Sequence, residues 1–421
     1  MFSFVSSLIP KMHRIRLEIN TRELSNPEQH LYDKAMPILS DIKPGARIGI
    51  AAGSRGIWNY ASYIKTVVKA VSKCGGVPII IPAMGSHGGG TAEGQIEILA
   101  GYGITPDSMG CDIRSSMDVI ELGNTKSGAP VFFDRNASEM DGIILVNRVK
   151  PHTDFHSKIE SGVVKQMVIG LGKHKGASVM HRRGVFGLAN VISEAAEVIL
   201  SKMPILMGVA ILENAYDRTA DIEVMRACDF MQREPELLDM ARTLMPSFPV
   251  DELDVLILQQ MGKSVSGSGI DTNVVGRYRI LDVPDEPTPH IYRIVCLDIT
   301  EESHGNASGV GIMDVINKRL ADKINWESTY MNAVTSGFLE RGFLPIVTQS
   351  DKAAIETALY CCNRPATVDD ARVILAKNTL ELSELIVSDA VYEDLKNRED
   401  IEYLGTYKFS FDQDDNIKNL L

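Results

Sequence analysis

Short runs rich in β-branched residues alternate with longer stretches whose apolar residues recur at helical spacing, through most of the chain. A strand covered on both faces reads as a continuous apolar run, whereas a helix packed on a sheet shows a stripe, so the alternation predicts an α/β fold with mainly parallel strands. Arg47–Ala52 is predicted as such a strand, ending in Gly53-Ser54-Arg55-Gly56. A helix is predicted over Ile57–Lys73, and Gly75-Gly76 turns the chain into a second strand at Val77–Pro82, which completes a βαβ unit. The junction Met84-Gly85-Ser86-His87-Gly88-Gly89-Gly90-Thr91 follows, with Thr91 placed to cap the next helix. Gly142–Asn147 is another buried strand, and it delivers the chain into Arg148-Val149-Lys150-Pro151-His152. Parallel sheets place their chemistry in the loops at the carboxyl ends of strands, so Arg55, His87 and His152 are candidate functional residues.

From Asp251 the pattern restarts, with strands predicted at Leu253–Leu258 and Ile291–Ile299 and helices near Gly309–Lys323 and Trp326–Phe338. Arg233–Asp251, closed by Pro246 and Pro249, reads as a linker. The expected organisation is two α/β domains with mainly parallel sheets and an active site in the cleft between them: residues 1–250, then 251–400, with the tail 401–421 returning to the first domain. A chain of 421 residues with 44% hydrophobic content is long enough to bury two cores. No apolar run is read as a membrane span, and Met1–Pro10, short and without a leading basic residue or cleavage site, reads as mature sequence. Six cysteines with no CxxC pair argue against a disulfide framework or a thiolate zinc site and point to a reducing cytoplasm.

Charge changes the picture locally. The net charge is -12, which disfavours nucleic acid or an anionic membrane as partner. Between Arg148 and Arg183, however, lie eight basic residues (Arg148, Lys150, Lys158, Lys165, Lys173, Lys175, Arg182 and Arg183) against two acidic ones, Asp154 and Glu160. This excess suggests an anion site, a solvated basic face being the ordinary alternative. Five of the nine histidines (His87, His152, His156, His174 and His181) fall within positions 87–181. Imidazole exchanges protons near neutral pH and binds metals, so a segment rich in histidine, lysine and glycine points to acid/base or metal chemistry on an anionic molecule. Several familiar sites are excluded. Gly262-Lys263-Ser264 lacks the earlier glycine of a P-loop, Ile257 standing in its place, and neither Gly88-x-Gly90 nor Gly170-x-Gly172 completes a dinucleotide fingerprint. HExxH and Gly-x-Ser-x-Gly are also missing.

Val149-Lys150-Pro151-His152, Ser161-Gly162-Val163-Val164-Lys165, Gly170-Leu171-Gly172 and His181, in that order, resemble the core of the nickel-pincer-cofactor-dependent lactate racemase family. Upstream, Ser54-Arg55 resembles that family's Asp-x-Thr-Arg strand end and Gly85-Ser86-His87-Gly88 its Gly-Leu-His-Arg-Pro loop; downstream, Asp271-Thr272-Asn273 resembles its Asp-x-Asn turn. The resemblance covers the N-terminal half and rests on the order of the elements.

It implies a nickel-dependent racemase or epimerase of a 2-hydroxy acid acting by reversible hydride transfer. The implied cofactor is pyridinium-3-thioamide-5-thiocarboxylic acid mononucleotide, the nickel-pincer nucleotide, joined covalently to Lys165, with His181 as the metal's imidazole ligand and Lys173 and Lys175 beside the phosphate. Soft sulfur donors and an imidazole in a square plane suit divalent nickel. His87 and His152 are implied as proton acceptors on opposite sides of the substrate, and Arg55 as the holder of its carboxylate. Partners would be the hydroxy acid and cofactor-synthesis enzymes. Ala52 replaces the strand-end aspartate, Gly88-Gly89 replaces the Arg-Pro, and three extra residues separate His152 from the Ser-Gly element. These departures point away from lactate towards a larger hydroxy acid with a second anionic group met by Arg277 or Lys263. Two other readings remain: a zinc hydrolase using His152, His156 and His181, and a non-catalytic protein that binds a nucleotide or hydroxy acid.

Overall fold

The structure is a computed structural model and describes residues 9–19, 21–54 and 56–421. The reading of the opening eight residues and the role expected of Arg55 lie outside the described residues. The chain divides into two compact units, Thr21–Leu244 and a second formed by Met245–Leu421 with Met1–Asn20.

The first described strand, β1 (Met12–Leu17), belongs to the second unit. The first unit contains β2 (Arg47–Ala52), β3 (Val77–Pro82), β4 (Asp112–Ile113), the hairpin strands β5 (Val119–Asn124) and β6 (Pro130–Asp134), then β7 (Gly142–Arg148), β8 (Ile205–Glu213) and β9 (Thr219–Arg226). Six of them form one sheet in the order β4-β3-β2-β7-β8-β9, parallel throughout except for β9. The apolar runs are continuous because both faces are covered. Ala51, Ile79, Ile81, Ile143 and Leu145 enter one core, while Ile48, Ile50, Ala52, Ile80, Ile144 and Val146 enter the other. Alternate residues of a strand point to opposite faces, so a run apolar at every position feeds two cores at once.

The predicted α/β class and the strands before residue 150 are found as expected, with the helix beginning at Tyr60 rather than Ile57. Thr91 does cap the helix Ala92–Gly101, accepting from the Gly94 N–H. The run Gly184–Lys202, against expectation, is long and apolar enough to cross a membrane by length and composition alone. It behaves as a core helix, packing Leu188, Val191, Ile192, Ala195, Ala196 and Ile199 into the first unit.

The second unit carries an eight-stranded mixed sheet. Its strands are β10 (Glu252–Leu258), β11 (His290–Cys296), β12 (Val315–Asn317), β13 (Ile346–Thr348), β14 (Val373–Ala376), β15 (Glu384–Ser388) and β16 (Ile401–Tyr407) together with β1. The order is β13-β12-β11-β10-β14-β15-β1-β16, parallel as far as β14 and antiparallel beyond it.

Three expectations differ here. The tail does not return to the first unit: Ile401–Tyr407 is a strand paired with β1 in the second. A strand whose partner lies at the other end of the chain leaves no local signature. Second, Arg233–Leu244 is helical, within Phe230–Leu244, so the connection between the units begins at Met245. Pro235 lies inside that helix, beyond its first four residues, and removes one hydrogen bond from the ladder. Third, Gly309–Lys323 is a short 3₁₀ turn, a strand and the helix Lys318–Lys323 rather than one helix.

Ile50 has no exposed surface and lies mid-strand in the central β2. Ile50→Ala is expected to lower the unfolding free energy of the first unit by about 2–5 kcal/mol. Urea unfolding checks this, and a loss well under about 1 kcal/mol would mean that the strand is not packed on both faces.

Candidate active site

The chain runs from β2 outward to β3 and β4 and then returns to the other side of β2 with β7, so a topological switch lies between β2 and β7. Strand ends diverge at such a point and leave backbone carbonyls without neighbours. Gln166 closes the gap: its Nε2 donates to Ala51 O at 3.2 Å and Val146 O at 3.0 Å. Tyr60 Oη donates to Val146 O at 2.9 Å and accepts from the Gly53 N–H at 2.7 Å. Burial pushes the Tyr60 hydroxyl well above its usual value. Lys165, the residue before Gln166, is thereby set over the ends of β2 and β7. The helix Val163–Lys165 continues as a single π turn, Gln166–Gly170, before Lys173–His181.

The loop leaving β7 is folded back by short bonds. Lys150 N donates to Ser161 O at 3.0 Å and Asn147 Nδ2 to Gly162 O at 2.8 Å, which brings the Pro-His and Ser-Gly elements together. Inside the loop sits the buried carboxylate of Glu160. It accepts from His152 N at 2.7 Å, Ser157 N at 3.0 Å, the His156 ring at 3.0 Å and Arg242 Nη2 at 2.7 Å. His152 Nδ1 accepts from the Asp154 N–H at 3.1 Å, which leaves the proton of the neutral ring on Nε2. The His152 ring stands 4.6 Å from that of buried Phe155, and Lys165 Nζ lies 5.9 Å from the centre of the same Phe155 ring.

His181, exposed at the end of its helix, is within electrostatic reach of both Lys165 and Asp154. Desolvation and the Lys165 cation lower its pKa, with Asp154 opposing, so the imidazole is held neutral with a lone pair available to a metal. The structure thus groups His152, Lys165 and His181. His87 leaves the neighbouring strand end after β3, where its Nδ1 is hydrogen-bonded to Ser54 Oγ, beside the end of β2. Gly88 and Gly94 are required there by contact: a Cβ on Gly94 would fall 2.1 Å from Gly88 O.

Lys173 does not face an anion as expected. It is fully buried, with Nζ bonded to Pro82 O at 2.5 Å, Gln95 Oε1 at 3.0 Å and Asp134 Oδ2 at 3.0 Å. Burial lowers the lysine and raises the aspartate against their mutual attraction. Through Gln95, whose Nε2 donates to Gly85 O at 2.9 Å, the ammonium ties the His87 loop to the start of the His181 helix. Arg148 likewise is committed inward, to the buried carboxylate of Glu213. Lys175 is exposed, its Nζ 4.3 Å from the Phe132 ring centre. In the second unit Arg277 is also spent on structure: it donates to Asp314 at 2.6 Å and to Ile291 O at 2.6 Å, which removes it as a contact for a second anionic group. Lys263 Nζ donates to Gly267 O at 2.7 Å and Asn332 Oδ1 at 3.1 Å.

Sequence reasoning missed three residues that hold the site: Gln166, Glu160 and Glu234. Glu234 is buried beneath Gly162, where a Cβ would fall 2.4 Å from its carboxyl, and Oε2 accepts from the Val164 N–H at 3.0 Å. Burial pushes this carboxyl up to about 7, the amides of Val164 and Val163 pulling the other way. Spacing could not have found it, since it comes from a helix some seventy residues away in sequence. Among the described residues, no three histidine, cysteine, aspartate or glutamate side chains group as a metal-ion ligand set. His156, one of the three expected of a zinc centre, is paired with Glu160 instead.

Residues 45–191 match the lactate racemase N-terminal domain family. Among solved structures, the chain is similar to the lactate racemase apoprotein from Thermoanaerobacterium thermosaccharolyticum at 11% identity, with a TM-score of 0.51 over 86% of this chain and 94% of that one. Among curated proteins, nothing matches.

Two outcomes follow from the buried charges. In cofactor-free protein, Lys173→Met should cost about 3–5 kcal/mol by stranding the Asp134 carboxylate; unchanged stability in urea would return Lys173 to a ligand-facing role. For Glu234, the folded state keeps a proton between about 4.5 and 7 that the unfolded chain has released, so this group's contribution is complete below that window and is lost as pH rises through it. Relative to Glu234→Gln, the wild type should therefore lose on the order of 3 kcal/mol between those limits, seen by urea unfolding across the pH range. A flat difference would show the carboxyl to titrate normally.

Proposed function

We propose that this chain, whose residues 45–191 match the lactate racemase N-terminal domain family, is a racemase or epimerase of a 2-hydroxy acid that works with the nickel-pincer nucleotide. The observation that supports this reading is that Lys165 lies within electrostatic reach of His181 and 5.9 Å from the Phe155 ring against which His152 stands. Family and fold support the isomerase class; the cofactor and the reaction are inferred from the donor set.

The residues present fit such a group. A cofactor that brings its own carbon and sulfur donors asks the protein for one amine to anchor it and one imidazole to complete the metal's plane, and Lys165 and His181 supply these. A zinc centre asks for three or more protein ligands, which the described residues do not assemble. When bound, the nickel-carbon centre would supply a reversible acceptor for the hydride on the carbinol carbon.

The chain's own residues do the rest. His152 takes the substrate hydroxyl proton at Nε2 in the tautomer that carries its hydrogen on Nδ1, for which the Asp154 carboxylate, 3.7 Å from Nδ1, replaces the Asp154 N–H as partner. Glu160 fixes that ring's backbone, acting as a positioning residue. His87, oriented by Ser54 at Nδ1, serves the opposite face. Abstraction on one side and return on the other inverts the centre through a planar keto acid. Arg55 is assigned the substrate carboxylate and Lys175 the cofactor phosphate, the remaining positive charge of Lys158, Arg182 and Arg183 favouring an anionic mononucleotide nearby.

Co-expression with cofactor-synthesis enzymes, followed by intact-protein mass spectrometry and metal analysis, tests this. The wild type should carry a covalent adduct and roughly one nickel per chain. His181→Ala should keep the adduct and lose the nickel, whereas Lys165→Ala should lose both. An unmodified, nickel-free wild type under those conditions would overturn the proposal.

A further inference from the structure

The second unit contains a helix that is inside out. Trp326–Ser336 buries Thr329 and Ala333 and turns Tyr330, Met331 and Val334 to solvent. Thr329 is committed inward, accepting from the Ala307 N–H at 3.0 Å. A surface helix normally presents its polar side to water, so this arrangement costs free energy unless another surface covers it. Leu339, Phe343 and Leu344 continue the patch, and exposures across it run from 50% at Tyr330 to 67% at Val334. Gly342 seats the turn against the helix, where its Cβ position is 3.2 Å from Ala333 and 3.6 Å from the Tyr330 ring. The chain then enters β13, an edge strand whose Ile346 is 56% exposed.

The two edges of this sheet are treated differently. At the β16 edge the surface is charged, with Arg16 paired to Glu402 and Arg14 to Glu384. Charged side chains are how proteins keep sheet edges from pairing with other chains. At the β13 edge no residue from Ser328 to Leu339 carries a charge, and of the neighbouring charged residues Arg341 is buried, bonded to Tyr278 O at 2.9 Å.

We propose that this face is the interface between two copies of the chain, joined about a twofold axis with β13 at its centre. Seven large apolar side chains exposed to this degree present roughly 700–800 Å², beyond the largest apolar patch of an ordinary monomer and close to the per-partner area of a stable interface. The net charge of -12 makes two copies repel over most of their surfaces, and an uncharged patch is where they can meet. A twofold contact sets the same patch against itself, and two copies of one edge strand run antiparallel across such an axis, able to exchange backbone hydrogen bonds.

The test is sedimentation velocity of the full chain at micromolar concentration, alongside Val334→Arg and Met331→Glu. Both positions are exposed in the single chain, so neither change should unfold it, and circular dichroism and urea unfolding check that directly. The wild type should sediment at twice the mass of one chain, and each variant should weaken association by about 100-fold or more while keeping wild-type secondary structure. A wild type that stays monomeric at about 100 μM overturns the proposal, whatever else covers the patch. A dimer that survives both substitutions overturns it too, by placing the interface elsewhere. Neither result bears on the assignment of Lys165 and His181, which is read by mass and metal content.

Discussion

The Gln166 amide resolves a conflict intrinsic to a parallel sheet. Where β2 and β7 separate, beyond the pair Ala52–Val146, Gln166 donates to the carbonyls of Ala51 and Val146, the latter shared with Tyr60 Oη, and a buried carbonyl left without a donor would cost on the order of 1–3 kcal/mol. A side chain that donates to both must come from a segment passing directly over the switch point. That segment is Val163–Gly170, and its π turn is a local departure from α-helical bonding with Leu171 N reaching Gln166 O at 2.9 Å. The path of Lys165 is thus a by-product of backbone satisfaction, because the residue that bonds to both strands, Gln166, follows it directly in the chain.

Around this point the loops are pinned by buried charge as well as by the apolar packing of Val149, Phe155 and Ile159. Glu160 gathers the backbone N–H groups of His152 and Ser157 together with Arg242, and Lys173 gathers Pro82 O, Gln95 and Asp134. Buried ion pairs are poor sources of net stability because both partners surrender hydration. Their hydrogen bonds are directional, however, and a loop held by several of them has one geometry. Histidines that must meet a substrate to within a fraction of an ångström gain from that more than from a looser apolar contact.

Local pattern carried the sequence reading as far as it could. Ile48–Ala52 and Ile79–Ile81 announce a buried parallel strand because nothing polar interrupts them, and Thr91 announces a helix start because its side chain has a backbone donor to meet. The ordered histidines and Lys165 were legible as motifs, and the loops bearing His87 and His152 leave β3 and β7, the strands on either side of β2. Illegible were residues that act at a distance. Glu234 looks like one surface carboxylate among many until its helix is laid under Gly162, and Lys173 and Arg277 look like cations for an anion until Asp134 and Asp314 are placed beside them. The tail strand failed in the same way, since its partner β1 is the first described strand of the chain.

That same distinction between available and committed charge sets the local field of an acidic protein. The formal excess between Arg148 and Arg183 overstates the local potential, because Arg148 and Lys173 are neutralised within the fold by Glu213 and Asp134. Glu160, though, is itself neutralised by Arg242 from a distant helix, so one of the two acidic residues in the segment also drops out. The positive field that survives comes from groups near the outer surface of the loops, Lys158, Lys175, Arg182 and Arg183, all exposed. Its sign is therefore set by the cations that the fold does not commit to buried carboxylates.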